Sequence, residues 1–251
     1  MAYSRFVALG DSQTEGIGDG DDLTGHRGWA DRLAERLATT NPDLTYANLA
    51  VRGKLAADVR RDQLAPALAL RPDLASVVAG MNDLLRPKFS AAEVAGHLEA
   101  VFAALTGAGA HVVTLTFPDI GVVTPLARPL RPRVLALNAA IRAAAERHGV
   151  TVVDTHPYPA VCDARLWSAD RLHANALGHA LIADAVAHGL GLPGADDSWR
   201  RPFPDPAGRV TAMTEIRWLA GFLAPWLLRR VRGRSSGDGR TAKRPDLLPL
   251  A

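Results

Sequence analysis

One cysteine, three methionines and an aromatic share of 6% leave this 251-residue chain short of residues on which several protein classes depend. Cys162 alone makes no intramolecular disulfide and supplies no metal-cluster spacing, which excludes a disulfide-stapled scaffold. A reducing cytoplasm is the expected compartment. No apolar run reaches the roughly 20 residues that span a bilayer. Met1 to Arg5 lead straight into a short apolar segment ending at Gly10-Asp11, without the order of charged, apolar and small residues that marks a secretory signal. Net charge is small as well: 29 Lys/Arg against 26 Asp/Glu give +3. That surplus is local. From Ala195 onward eleven basic and six acidic residues give +5, whereas the preceding body has 18 against 20, a net −2. The basic character therefore belongs to the tail and does not point to nucleic acid as a partner of the body.

What the chain does have is a hydrophobic share of 48%, enough for a packed core. A chain of this length buries about 70–75% of its unfolded surface without staples. Short apolar runs alternate with helix-period segments. Arg5 to Leu9 reads as a first strand closed by Gly10, Leu44 to Leu49 as a second, Leu74 to Ala79 as a third, His111 to Phe117 as a fourth and Val150 to Asp154 as a fifth. Between them, Trp29, Leu33 and Leu37 form one helical face. Ser90 with Glu93 opens a second helix, Pro132 a third and Leu177 a last one. This alternation predicts an α/β fold, a parallel sheet covered on both faces in a three-layer α/β/α sandwich. Ligands of such sheets sit beyond the carboxyl ends of the strands.

Polar segments stand where that rule directs attention. Gly10-Asp11-Ser12-Gln13-Thr14-Glu15-Gly16 follows strand one, Asn48 to Gly53 follows strand two, and Gly80-Met81-Asn82-Asp83 follows strand three. Asp170-Arg171-Leu172-His173 precedes the last body helix. Alone, Gly-Asp-Ser is equally a capped turn, and the Gly-x-Ser-x-Gly elbow of α/β-hydrolases is absent because position 14 is Thr. Together, the segments hold the parts a serine ester mechanism requires: a nucleophile, a base, a group orienting the base, and donors for an oxyanion.

In order and spacing, these four segments resemble the consensus blocks of the SGNH, or GDSL-like, hydrolase family. By that resemblance Ser12 is the nucleophile, His173 the base and Asp170 its orienter. The oxyanion hole is formed by the backbone N–H groups of Ser12 and Gly53 with the side-chain amide of Asn82. The resemblance covers about residues 3–190 and implies a flavodoxin-like sandwich of five parallel strands in order 2-1-3-4-5. The implied activity is that of a serine esterase or lipase-like acyl hydrolase, without cofactor or metal, acting on a small-molecule acyl ester through an acyl-enzyme. Passing the acyl group to an alcohol, as a transferase does, remains open. Ala174 stands where many relatives have Pro.

The other residues have plainer readings. Asp11 and Asp83 are taken as turn caps, Asp154 as a strand-end cap and His179 as a helix histidine, since its spacing from His173 is not that of a metal pair. His156 is a minor alternative base. Cys162 reads as a small buried hydrophobe, and Trp29 and Trp167 as core residues that could also wall an acyl pocket. The Gly16–Asp22 loop carries three aspartates, which would repel phosphate, so nucleotide binding is not expected. Three segments follow: a hydrolase domain over 1–194, a Trp-rich extension over 195–231, and a basic tail over 232–251 expected to be disordered. The extension's 211–231 helix either docks on the body through its tryptophans or lies in an anionic membrane interface. Two competing functions stand beside the enzyme: a non-catalytic acyl- or sugar-binding module, and a membrane-peripheral adaptor.

Overall fold

The computed structural model describes residues 2–205, 212–225, 228 and 235–250. Its first strand, β1 (Arg5–Gly10), is buried from Phe6 onward. A near-continuous apolar run is what a strand covered on both faces requires. The chain turns through α1 (Ser12–Glu15) and a small hairpin of β2 (Gly20–Asp21) and β3 (Gly25–His26), then enters α2 (Trp29–Thr40), whose apolar face buries Trp29, Leu33 and Leu37. Next come β4 (Thr45–Asn48), α3 (Ala56–Asp62), α4 (Leu64–Ala69), β5 (Leu74–Val78) and α5 (Met81–Leu84). In α6 (Ala91–Gly107) the Ser90 side chain accepts the Glu93 N–H, satisfying one first-turn donor. The body closes with β6 (His111–Leu115), α7 (Ile120–Val123), α8 (Arg131–Arg147), β7 (Thr151–Val153) and α9 (Ala176–Gly189).

The sheet order is β7-β6-β5-β1-β4-β8, where β8 spans Arg244–Pro249. Its five body strands are parallel and follow the expected order 2-1-3-4-5. Packing of α2 against α9, and of α6 against both α3 and α8, gives the two outer layers. The interior is closed by Phe6 stacked on Tyr46 at 5.2 Å and by fully buried Phe102, Leu74, Leu98 and Leu137. Each such side chain contributes about 1.5–3 kcal/mol of hydrophobic stabilisation.

The sixth strand corrects the reading of the tail. Residues 235–250, taken from composition as part of a disordered segment, pack on the body, and β8 pairs antiparallel with β4. Composition missed this because the segment gains little from apolar burial. It is held by ladder hydrogen bonds and by cations matched to the acidic body. Arg240 pairs with Asp22 at 2.6 Å and Lys243 with Asp31 at 2.6 Å, and Arg244 Nε donates to the Tyr46 carbonyl at 2.8 Å. Pro245 and Pro249 lack an N–H, which an edge strand tolerates. Upstream, α10 (Ala212–Trp218) runs into a π-helical turn over Leu219–Leu223. Trp226 lies outside the described residues. Among those residues, no helix is long and apolar enough to cross a membrane.

Candidate active site

Ser12 owes its place to a sharp exit from β1. Gly10 has φ +155°, and a Cβ there would lie 2.4 Å from the Val78 carbonyl oxygen, so only glycine fits. Gln63 pins this corner from both sides: its Oε1 accepts the Gly10 N–H at 2.9 Å and its Nε2 donates to the Gly10 carbonyl at 2.9 Å. Asp11 then caps α1, accepting the Gln13 N–H at 3.3 Å. Ser12 is the first residue of that turn, where backbone N–H groups have no helical acceptor.

The opposite wall is a loop that supports itself. Asp170 Oδ1 accepts the backbone N–H groups of Leu172 at 2.9 Å and His173 at 3.0 Å, and the Ser168 hydroxyl at 2.6 Å. Its Oδ2 lies 2.6 Å from His173 Nδ1. Burial by itself would raise the Asp170 pKa, but the His173 ring, the Ser168 hydroxyl and the backbone donors outweigh it and hold the carboxyl well below the usual range. On its other side, His173 Nε2 lies 2.8 Å from Ser12 Oγ. Two side chains separated by 161 positions are thus in proton-sharing reach.

Asn82 joins the remaining segments. Its Nδ2 donates to Asp11 Oδ2 at 3.2 Å and to the Lys54 carbonyl at 3.1 Å, so it lies between the neighbour of Ser12 and the neighbour of Gly53. The loop carrying Gly53 is anchored at both ends. Asn48, fully buried, donates from Nδ2 to the Thr14 carbonyl at 2.8 Å and accepts the Ala50 N–H at 3.1 Å. Arg52 binds Glu15 through its backbone N–H at 2.6 Å and through Nε and Nη2 at 2.9 and 2.5 Å. Gly53 has φ +78°, and its open face is covered by the tail, where a Cβ would lie 2.2 Å from Ser235 Oγ.

Of the five site residues expected from the sequence, Ser12, His173 and Asp170 form one hydrogen-bonded line, and Asn82 bonds to Asp11 and Lys54, the chain neighbours of Ser12 and Gly53. His156 does not join them. Its backbone N–H goes to Thr116, and its buried Nε2 has no partner. Asp154 binds Arg142 Nη2 at 2.7 Å and the Thr116 hydroxyl at 2.7 Å, more than a strand-end cap. His179 is buried, accepting the Trp29 N–H at Nδ1 and donating from Nε2 to the Ile17 carbonyl, and burial pulls its pKa down to about 4. Cys162 is buried, and its thiol is pushed up to about 11 by that burial. Asp83 accepts the Ala56 N–H at 3.0 Å. Asp11, also buried, is raised to about 7 by desolvation, opposed by the Gln13 N–H and the charge of His173.

Sequence reasoning passed over several participants. Ser168, Arg52, Glu15 and Gln13 all hold the site; Gln13 and Glu15 stand in the first block and Arg52 in the second, while Ser168 lies outside the four blocks. Trp218 was read as part of a helix that either docks or lies in a membrane interface, and its Nε1 donates to the Asp170 carbonyl at 2.9 Å. Behind the line of polar groups lies an apolar cavity of about 80 Å³. Gln13, Ala174, Trp29, Trp167, Leu115 and Ile182 are among its walls, so both tryptophans serve as pocket walls as well as packing. Gln13 Oε1 accepts the Ala174 N–H at 3.2 Å, so the chain neighbours of Ser12 and His173 meet at the wall of this cavity.

The fold is that of known esterases. The chain is similar to LAE5, an α/β hydrolase enzyme from the metagenome of Lake Arreo (23% identity, TM-score 0.61, covering 75% of this chain and 95% of that one). It is similar also to Axe2, an acetylxylan esterase from Geobacillus stearothermophilus (21%, 0.61, 79% and 96%). A third likeness is the psychrotrophic esterase EstA from Pseudoalteromonas sp. (19%, 0.59, 75% and 97%). No curated protein matches the sequence. The profile of the GDSL-like Lipase/Acylhydrolase family matches residues 8–181, and the chain belongs to that family.

Proposed function

We propose that the protein is a serine esterase that hydrolyses a carboxylic ester through an acyl-enzyme on Ser12. The observation that carries this reading is the line Ser12 Oγ, His173, Asp170, with separations of 2.8 and 2.6 Å. His173 Nε2 takes the Ser12 proton as Oγ attacks the ester carbonyl, and Asp170 holds the tautomer with Nδ1–H and balances the imidazolium. The tetrahedral oxyanion is received by the Ser12 and Gly53 backbone N–H groups and by Asn82, whose amide must turn part of its donation away from Asp11 or Lys54. The imidazolium then protonates the departing alkoxide. Water, activated by His173, attacks the acyl-enzyme in the second half and returns the serine.

The cavity beside Gln13 supports a short acyl group. At about 80 Å³ it has roughly half the volume of the engineered core cavity that admits benzene, and its walls are apolar. The substrate side of the reading is therefore a short acyl ester of a small molecule, with no cofactor. A cytoplasmic location is part of the same proposal, supported by the single buried Cys162.

The test is an ester series graded by acyl length, run with purified protein. Ser12→Ala should lower kcat by about 10⁴-fold or more. A fluorophosphonate should label the wild type once, at Ser12. Normal turnover by the variant, or failure of the wild type to be labelled, would overturn the reading.

A further inference from the structure

The C-terminal extension touches the site from two directions. Trp218, 7% exposed, donates its indole N–H to the carbonyl of Asp170, and the Arg171 guanidinium lies over its ring at 5.0 Å. Ser235 and Gly237 sit on Arg52-Gly53, so closely that a Cβ on Gly237 would lie 2.0 Å from the Arg52 carbonyl oxygen. Only one side of the 212–223 helix is used for this docking. Met213 (57%), Ile216 (59%) and Phe222 (42%) are exposed, as is Leu219. Burying Trp218 while exposing these large apolar side chains leaves a face that a protein surrounded only by water has no reason to keep.

Other exposed apolar side chains stand in loops that follow the sheet strands. Leu23 lies in the loop after β1 and Val122 and Leu126 in the segment after β6, both beyond the carboxyl ends of strands, where Ser12 also lies. All three are well exposed, Leu23 by 97%. Of the three neighbouring aspartates, Asp19 pairs with Arg32 at 2.6 Å and Asp22 with Arg52 and Arg240, while Asp21 accepts hydrogen bonds from Leu23 and Thr24. The sequence around the exposed helix is cationic. Between positions 211 and 234 stand Arg217, Arg229, Arg230, Arg232 and Arg234 against Glu215 alone, a net +4.

We propose that this face docks on an anionic lipid surface, and that the ester reaches Ser12 from that surface. The inference rests on the esterase reading above and adds where the substrate is presented. An apolar face beside a cation-rich segment is the composition that lies in a membrane interface, the apolar groups entering the acyl boundary and the arginines meeting anionic headgroups. Nucleic acid would match the arginines but not the apolar face. Because Trp218 binds the carbonyl of Asp170 itself, seating the helix fixes the loop that presents His173. The fitting substrate is an amphiphile whose short acyl group enters the cavity while the rest of the molecule stays in the interface.

The experiment separates docking from catalysis by using full-length Ser12→Ala, which binds without turning over. It should sediment with phosphatidylcholine vesicles that contain phosphatidylglycerol, and less so with phosphatidylcholine alone or at raised salt. Adding Ile216→Asp and Phe222→Asp should weaken that partitioning by roughly tenfold or more, the effect of withdrawing two large apolar side chains from an apolar medium. In the Ser12-intact protein, the same two substitutions should leave hydrolysis of a soluble p-nitrophenyl acetate unchanged, which also reports that the fold is intact. Failure of the protein to bind anionic vesicles, or equal binding by the charged variant, would overturn the proposal. So would a concentration-dependent dimer abolished by Ile216→Asp and Phe222→Asp, since the face would then cover a second copy. Loss of esterase activity in the wild type would instead count against the underlying reading and leave the vesicle result standing.

Discussion

The two sides of the candidate site are built by different means. The Asp170–His173 loop is nearly self-sufficient: one carboxylate collects Ser168, Leu172 and His173 within six residues and orients the imidazole. The Gly53–Asn82 side has no such local order. Its glycine is held by Arg52 on Glu15, its asparagine by Asp11 and Lys54, and its outer surface by Ser235 and Gly237 from the far end of the chain. The proposed base is therefore set by short-range geometry, and the proposed oxyanion donors by tertiary contacts. Damage on the first side should appear as lost chemistry in a stable protein. On the second it should appear as lost stability together with lost chemistry.

Asp170→Asn tests the first side hardest. An amide of the same shape leaves the loop close to intact but favours the wrong tautomer of His173, and kcat should fall by about 10⁴-fold. Melting temperature should change little by comparison. An active Asp170→Asn enzyme would mean that the imidazole is oriented by something else.

Arg52→Ala tests the second side. Glu15 and Arg52 are 8% and 12% exposed, and removing one partner leaves a buried charge uncompensated. Such losses cost about 3–5 kcal/mol, and urea unfolding should register a drop of that size. Turnover of soluble esters should fall with it as Gly53 loses its anchor. If stability alone fell, Gly53 would be positioned without Arg52.

The smallest effect sharpens the comparison at the point where the two sides meet. Asp11 touches Asn82, and burial raises its pKa to about 7. An unfolded aspartate titrates near pH 3.9, so between about pH 4 and pH 7 the folded chain holds a proton that the unfolded chain has released. Stability due to Asp11 therefore falls as pH rises through this window. Asp11→Asn, which imitates the protonated group, should be stabilised relative to wild type by an amount that grows across the same range. Parallel unfolding curves at about pH 5 and about pH 8 would show that Asp11 is not buried as described.

Legibility followed the range of the interactions. β1, β5 and the helix opened by Ser90 were readable because apolar periodicity and a capping residue are properties of a few neighbouring residues. The Asp-x-x-His pair was readable for the same reason, and Ser12, Gly53 and Asn82 because they follow strands directly. Tail residues 235–250 were misjudged because few of them bury apolar surface, and counting apolar residues is blind to a strand held by ladder bonds and by Arg240, Lys243 and Arg244 on an acidic body. Trp218 was visible as an aromatic on a helix but not as a ligand of the Asp170 carbonyl.

By itself the amino-acid order determined the alternating layers, and the family resemblance it carries supplied the strand order and the five candidate site residues. The layers follow from local propensity and the right-handed crossover, and the resemblance rests on motifs in order, all of which are written along the chain. Only the tertiary structure decided that Ser12 Oγ and His173 Nε2 lie 2.8 Å apart, that Arg52 carries Gly53, and that the C-terminal segment completes the sheet and leans on both sides of the site. Those outcomes depend on distances between residues remote in sequence, which packing alone sets.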